Sequence, residues 1–158
     1  MRIAAIPGSY DPVTLGHVDI IRRAARLYDT VLVVAMVNVD KAYCFTSVER
    51  VALLCDALGD IPNVVVAYED GYFFEYAKRK GVTAIVKGVR TVEDFAYELD
   101  IARFNRQHYP EAETLLMPAD EGLLGISSSA VKEMARRGED IGRFVTPLCA
   151  EMLKNKYL

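Results

Sequence analysis

Four groups of residues in this chain are of types that handle phosphate, and they are spread over most of its length. His17 closes the turn-rich stretch PGSYDPVTLGH, three residues after Thr14. Lys41 follows the apolar run Thr30–Val37. Lys87-Gly88-Val89-Arg90 sets two cations around a glycine, and Ser127-Ser128-Ser129 offers three successive hydroxyls. An imidazole N–H at a helix start is a directed donor beside free backbone N–H groups and the positive end of the helix dipole. Lysine supplies a mobile point charge and arginine a bidentate fork. The chemistry open to this set is to hold and polarise phosphoryl oxygens. No serine or cysteine stands in a nucleophile elbow, and no His and carboxylate group has metal-ligand spacing. Neither a covalent intermediate nor a protein-held metal is expected.

Each residue also has a plainer reading. Gly8 removes a side chain where backbone would approach a ligand, Asp11-Pro12 makes a turn, and Gly16 relieves crowding before the helix. His17 then either caps and packs or donates to a phosphate. Lys41 by itself is a solvated lysine. The cations at Lys87 and Arg90, read as a helix start after the strand Thr83–Val86, oppose the dipole there and point to an anion. Glu98 alone is a solvated carboxylate or a partner of Arg103 or Arg106. At least one of the three serines is a cap.

These groups must be gathered by the elements between them. Apolar runs rich in Val and Ile recur at Arg2–Ile6, Thr30–Val37, Asn63–Tyr68, Thr83–Val86 and Glu113–Met117. Helical periods fill the intervals at Asp19–Tyr28, Thr46–Leu58, Phe73–Lys80, Val92–Tyr109 and Ser127–Arg137, and a last helix runs from Thr146-Pro147 to about Lys156. Thr46 and Glu49 form a capping-box signature. Strands apolar throughout and alternating with helices are parallel and covered on both faces. The prediction is a single doubly wound, Rossmann-like α/β domain over residues 1–158, with a five-stranded parallel sheet and C-terminal helices. Ligands bind beyond the carboxyl ends of such strands, where the strand order reverses. The loops beginning at Pro7, Asn38, Glu69, Lys87 and Pro118 all open on that rim.

Composition narrows the partners. The 158 residues are 52% hydrophobic and 26% charged, with a net charge of −3, which is no footprint for nucleic acid or an anionic membrane. Cys44, Cys55 and Cys149 are odd in number and far apart, as expected of thiols in a reducing compartment. No apolar run approaches the ~18 residues of a membrane span. A cytoplasmic protein is expected, with any anion captured by local groups.

Thr14-Leu15-Gly16-His17 matches the T-x-G-H signature of the nucleotidyltransferase superfamily of α/β-phosphodiesterases, and Ile126-Ser127-Ser128-Ser129 matches its ISSS signature about 110 residues on. Lys41, Phe45-Thr46, Glu49-Arg50, Lys87-Gly88-Val89-Arg90 and Asp94-Phe95-Ala96-Tyr97-Glu98 narrow this further. End to end, the chain resembles the bacterial phosphopantetheine adenylyltransferases. The resemblance implies an enzyme that moves AMP from ATP to 4′-phosphopantetheine, giving dephospho-coenzyme A and pyrophosphate by direct in-line attack. It implies His17, Lys41 and Arg90 as the catalytic groups. ATP would meet Ser9, Tyr10, His17, Gly88, Val89, Arg90, Glu98, Leu123, Leu124, Gly125, Ile126, Ser127, Ser128 and Ser129, with Mg²⁺ carried in on the nucleotide. Phosphopantetheine would meet Ser9, Lys41, Phe73 and Lys87. A homohexamer and feedback inhibition by coenzyme A are also implied, and the Val, Leu and Tyr content of the second and fifth helices would permit a subunit interface.

Three departures stand out. Lys87 replaces a commoner arginine, Tyr72-Phe73-Phe74 replaces small aliphatics, and Gly122-Leu123-Leu124-Gly125 lacks an aromatic residue. The alternatives are a related nucleotidyltransferase acting on nicotinamide mononucleotide or glycerol 3-phosphate, a non-catalytic nucleotide sensor, and a flavodoxin-like cofactor binder. The last gives no reason for His17 or the serine triplet.

Overall fold

The computed structural model describes residues 1–123 and 127–158. Its core is a five-stranded, all-parallel sheet of β1 (Ile3–Gly8), β2 (Thr30–Met36), β3 (Val64–Glu69), β4 (Ala84–Val89) and β5 (Glu113–Pro118), in the order β3-β2-β1-β4-β5. The helices are α1 (Leu15–Ala25), α2 (Ser47–Leu58), α3 (Phe73–Lys80), α4 (Val92–His108), α5 (Ser128–Arg136) and α6 (Pro147–Tyr157). The chain winds outward from β1 to β3 and then returns to lay β4 on the other side of β1. The strand order therefore reverses between β1 and β4. Ladder pairing there covers only Ala4 with Ala84 and Ala5 with Ile85, whereas β1 and β2 are in register from Ile3 to Gly8. A crevice opens where that pairing ends.

Local chemistry explains the helix starts. Thr14, Thr46, Thr91, Ser127 and Thr146 are N-caps whose hydroxyls accept backbone N–H bonds, and Pro147 begins α6. The first helix starts at Leu15 and not at Asp19. Thr14 and His17 form a reciprocal capping box, which apolar periodicity cannot register. It also ends at Ala25, and Leu27 projects into solvent.

The larger correction concerns the fourth strand. β4 runs on to Val89, so Lys87, Gly88 and Val89 belong to a strand and α4 begins only at Val92. The opposition of Lys87 to a helix dipole therefore does not arise. Arg90 alone lies near that helix, where Asp94 in its first turn meets it.

One side of the sheet packs Ile20, Ile21 and Ala24 of α1, Leu53, Leu54 and Leu58 of α2, Val131 and Ala135 of α5 and Cys149 and Leu153 of α6. The other side is thinner and holds Leu32, Val34, Tyr76, Ala77, Ile85 and Tyr109. The apolar stripes of α2 and α5 thus face the core. Exposed apolar surface lies on α4, at Val92, Phe95, Tyr97 and Phe104, and at Tyr72 before α3. On α2, Val48 is exposed as well. No helix among the described residues is long and apolar enough to cross a membrane.

Candidate active site

Two cavities open beyond the carboxyl ends of β1 and β4 and share a wall. The first, about 320 Å³, is lined by Thr14, His17, Arg90, Asp94, Ser127 and Ser128. The second, about 500 Å³, is lined by Ser9, Lys41, Phe73, Phe74, Phe104 and Asn105. Pro7, Gly8, Lys87, Tyr97 and Glu98 line both.

His17 gains its orientation from the cap. The Thr14 backbone N–H donates to Nδ1 at 2.9 Å, so Nδ1 carries a lone pair and the ring proton sits on Nε2. Burial, and then the cations Lys87 and Arg90, hold the imidazole down at about 4. The residue is therefore neutral at pH 7, with one N–H donor. The Tyr10 ring meets it edge-on, with centroids 5.0 Å apart. Tyr10 has φ 48° and spends its hydroxyl on the Ile6 carbonyl at 2.8 Å. Burial pushes its phenol far up. A Cβ on Gly8 would come within 3.2 Å of that ring. The bare backbone at Gly8 thus accommodates Tyr10 as well as opening the cavity.

Lys87 leans across the reversal point. Its Nζ donates to the Pro7 carbonyl at 3.2 Å and lies 3.5 Å from Glu98 Oε1. Glu98 thus pairs with Lys87, while Arg103 and Arg106 pair with Asp100 and Glu113. The second carboxylate oxygen of Glu98 is buried without a partner. Gly88 has a packing reason of its own: a Cβ there would stand 2.9 Å from Ile20 Cγ1 on α1. The Val89 carbonyl accepts Ala119 N–H at 2.8 Å, and Val89 lines neither cavity. Arg90 is held by Asp94 through both its backbone N–H and its Nε.

Lys41 donates to Ser9 Oγ at 3.0 Å, which ties the β2–α2 loop to the end of β1. The serines divide their roles. Ser127 caps α5 through Ala130 N–H, Ser128 donates to the Pro12 carbonyl at 2.7 Å, and Ser129 is exposed and outside both linings. Phe73 lines the second cavity and stacks on Tyr76, as Phe74 does on Tyr72 and His108. The expected nucleotide contacts at Leu124, Gly125 and Ile126, and at the Leu123 side chain, lie outside the described residues. Among the described residues, no group of three His, Cys, Asp or Glu is placed to hold a metal ion.

Sequence reasoning missed several wall residues. Ile101, Ala102 and Asn105 lie three, four and seven positions after Glu98, on the same face of α4, so the helical period carried that signal. Asp11 gave none beyond a turn. Its carboxylate is buried, accepts the N–H groups of Cys44 and Phe45 at 2.9 Å each, and pairs with Lys132 at 3.2 Å. One side chain thus joins the loop carrying Tyr10, the loop carrying Lys41 and the helix of the serines.

A doubly wound sheet with a cation-lined crevice at its reversal point is the site of a nucleotide-handling α/β protein. Residues 5–134 match the cytidylyltransferase-like family. The phosphopantetheine adenylyltransferase of Caldanaerobacter subterraneus subsp. tengcongensis is 44% identical over 157 residues, covering 99% of this chain and 98% of the relative. That of Alkaliphilus metalliredigens is 40% identical over 156 residues, covering 99% of each. In fold, the chain superposes with TM-score 0.72 and 17% identity on a Vibrio parahaemolyticus structure described as a nicotinate-nucleotide adenylyltransferase, covering 98% of this chain and 93% of that one. The chain belongs to the cytidylyltransferase-like family of nucleotidyltransferases and, within it, to the phosphopantetheine adenylyltransferases.

Proposed function

We propose that the protein transfers AMP from ATP to 4′-phosphopantetheine, giving dephospho-coenzyme A and pyrophosphate, a step of coenzyme A biosynthesis. The observation that carries the reading is the pair of cavities meeting at Gly8, Lys87 and Glu98, one holding His17 and Arg90 and the other Lys41. ATP occupies the first and the acceptor the second, so their phosphates meet at the shared wall.

The acceptor phosphate is already a nucleophile at neutral pH. One of its oxygens bonds to the α-phosphorus while the bond from that phosphorus to the pyrophosphate oxygen breaks. No proton needs to move. The chain supplies position and charge: Lys41 with Ser9 Oγ holds the acceptor phosphate, Arg90 holds the leaving phosphates, and His17 Nε2–H donates to an oxygen of the transferring group. A neutral imidazole suits that task, since it donates without giving up its proton. Mg²⁺ arrives on ATP, held mainly by phosphates and water. Glu98 lines both cavities with one oxygen buried and unpaired, and Asp94 is already engaged by Arg90.

The aromatic floor of Phe73, Phe74 and Phe104 favours an acceptor with a long, partly apolar arm over a nucleotide or glycerol phosphate. Exposed apolar residues on α4 support assembly into a homohexamer through that helix, to be checked by light scattering. Coenzyme A, which shares the arm and the nucleotide, is proposed as a feedback inhibitor, and the cytoplasm as the place of action. The deciding experiment measures pyrophosphate release from ATP with phosphopantetheine, nicotinamide mononucleotide and glycerol 3-phosphate in turn. Release with phosphopantetheine alone is expected. ATP binding with no release on any acceptor would make the protein a nucleotide sensor.

A further inference from the structure

Arg50 is 1% exposed, and its guanidinium is anchored without a counter-ion. Nη1 donates to the Ser9 carbonyl at 2.7 Å and to the Met36 carbonyl at 2.9 Å, just where β1 and β2 end. The group stacks 4.0 Å from the centroid of the Tyr43 ring, and Nε is buried with no partner. Among the described residues no carboxylate pairs with it. Arginine cannot escape this by losing its proton, and a buried uncompensated charge is among the costliest arrangements in a protein.

A second cation meets two of the same residues, Ser9 and Tyr43. Lys41 Nζ donates to Ser9 Oγ and lies 5.5 Å from the same Tyr43 ring. Lys41 likewise pairs with no carboxylate among the described residues. Two like charges are thus gathered on one serine and one ring, with an open cavity in front of Lys41. An anion in that cavity would offset both charges.

We infer that Arg50 is a positioning residue for the acceptor's phosphate: it fixes the Ser9 backbone and, through Tyr43, the loop of Lys41, and its charge is balanced when the phosphate arrives. The inference rests on reading the second cavity as the acceptor compartment. Arg50 itself touches no substrate.

The test uses Arg50→Lys in the full chain, which keeps the charge but loses the planar guanidinium that stacks on the Tyr43 ring. Two readouts are taken: KM for phosphopantetheine and for ATP in the pyrophosphate assay, and Tm with inorganic phosphate against chloride of equal ionic strength. Phosphate raises Tm of the unaltered protein, and the variant loses most of that rise. Its KM for phosphopantetheine climbs about tenfold, while KM for ATP stays within about twofold. A lowered Tm with both KM values unchanged makes Arg50 purely structural, and an equal rise in both removes its link to the acceptor. Should Arg50→Lys not fold, Tyr43→Leu cuts the same connection, and an unchanged phosphopantetheine KM there overturns the inference. Because inorganic phosphate is a probe independent of turnover, a lost phosphate response in a protein that never turns over phosphopantetheine would sink the proposed reaction and not the role of Arg50.

Discussion

The backbone N–H of Thr14 donates to Nδ1 of His17 at 2.9 Å, and that bond decides which side of the imidazole faces the cavity as a donor. Removing the ring by His17→Ala should leave ATP binding close to intact and lower kcat by a factor on the order of 10²–10³, as loss of a transition-state donor does. Single-turnover pyrophosphate release checks this. Near-normal turnover would take His17 out of the mechanism.

The same residue sets a pH dependence. Folded His17 takes a proton only near pH 4, below its ordinary 6.5, so between these values the unfolded chain binds more protons. The His17 contribution to stability is therefore complete above about pH 6.5 and is lost as pH falls toward 4. Urea midpoints measured across that window should slope less in His17→Gln than in the unaltered protein.

Lys87 and Glu98 form a partly shielded pair on the wall common to both cavities. Lys87→Met leaves a half-buried carboxylate without its partner and should cost about 1–3 kcal/mol. Adding Glu98→Gln should recover part of the stability and none of the activity. Urea denaturation beside the pyrophosphate assay separates the two effects. If the single variant is as stable as the parent, the pair does not hold this wall.

Asp11 joins three elements that carry site residues. Asp11→Ala should cost about 3–5 kcal/mol, since half-buried Lys132 loses its partner and two N–H groups are orphaned. A double-mutant cycle of Asp11→Asn with Lys132→Met should give a coupling of about 1–3 kcal/mol. Additive losses would show that the ion pair contributes little.

Gly88 lets α1 lie against β4 beside the site. Gly88→Ala drives a methyl into Ile20 and should cost about 1–3 kcal/mol. Activity should fall with it, because α1 carries His17. Ile20→Ala opens a void that the new methyl partly fills, so the two losses should be less than additive in thermal unfolding.

Sequence alone determined the architecture: apolar strands alternating with amphipathic helices allow few arrangements other than a parallel sheet covered on both faces. His17, Lys41, Arg90 and Ser127 could be singled out by residue type and by their place after a strand, and the structure sets them on the walls of the two cavities. The run of β4 through Lys87 to Val89 was hidden, since a lysine and a glycine do not read as strand and only pairing with β5 shows it. Periodicity placed the start of α1 four residues late, because a histidine closing a capping box has no apolar signature. What only the tertiary structure decided is which groups meet. Asp11 with Lys132, Arg50 with Ser9, and Lys87 with Pro7 are contacts between segments far apart in the chain. Their existence depends on strand order and helix placement, which no local pattern of residues encodes.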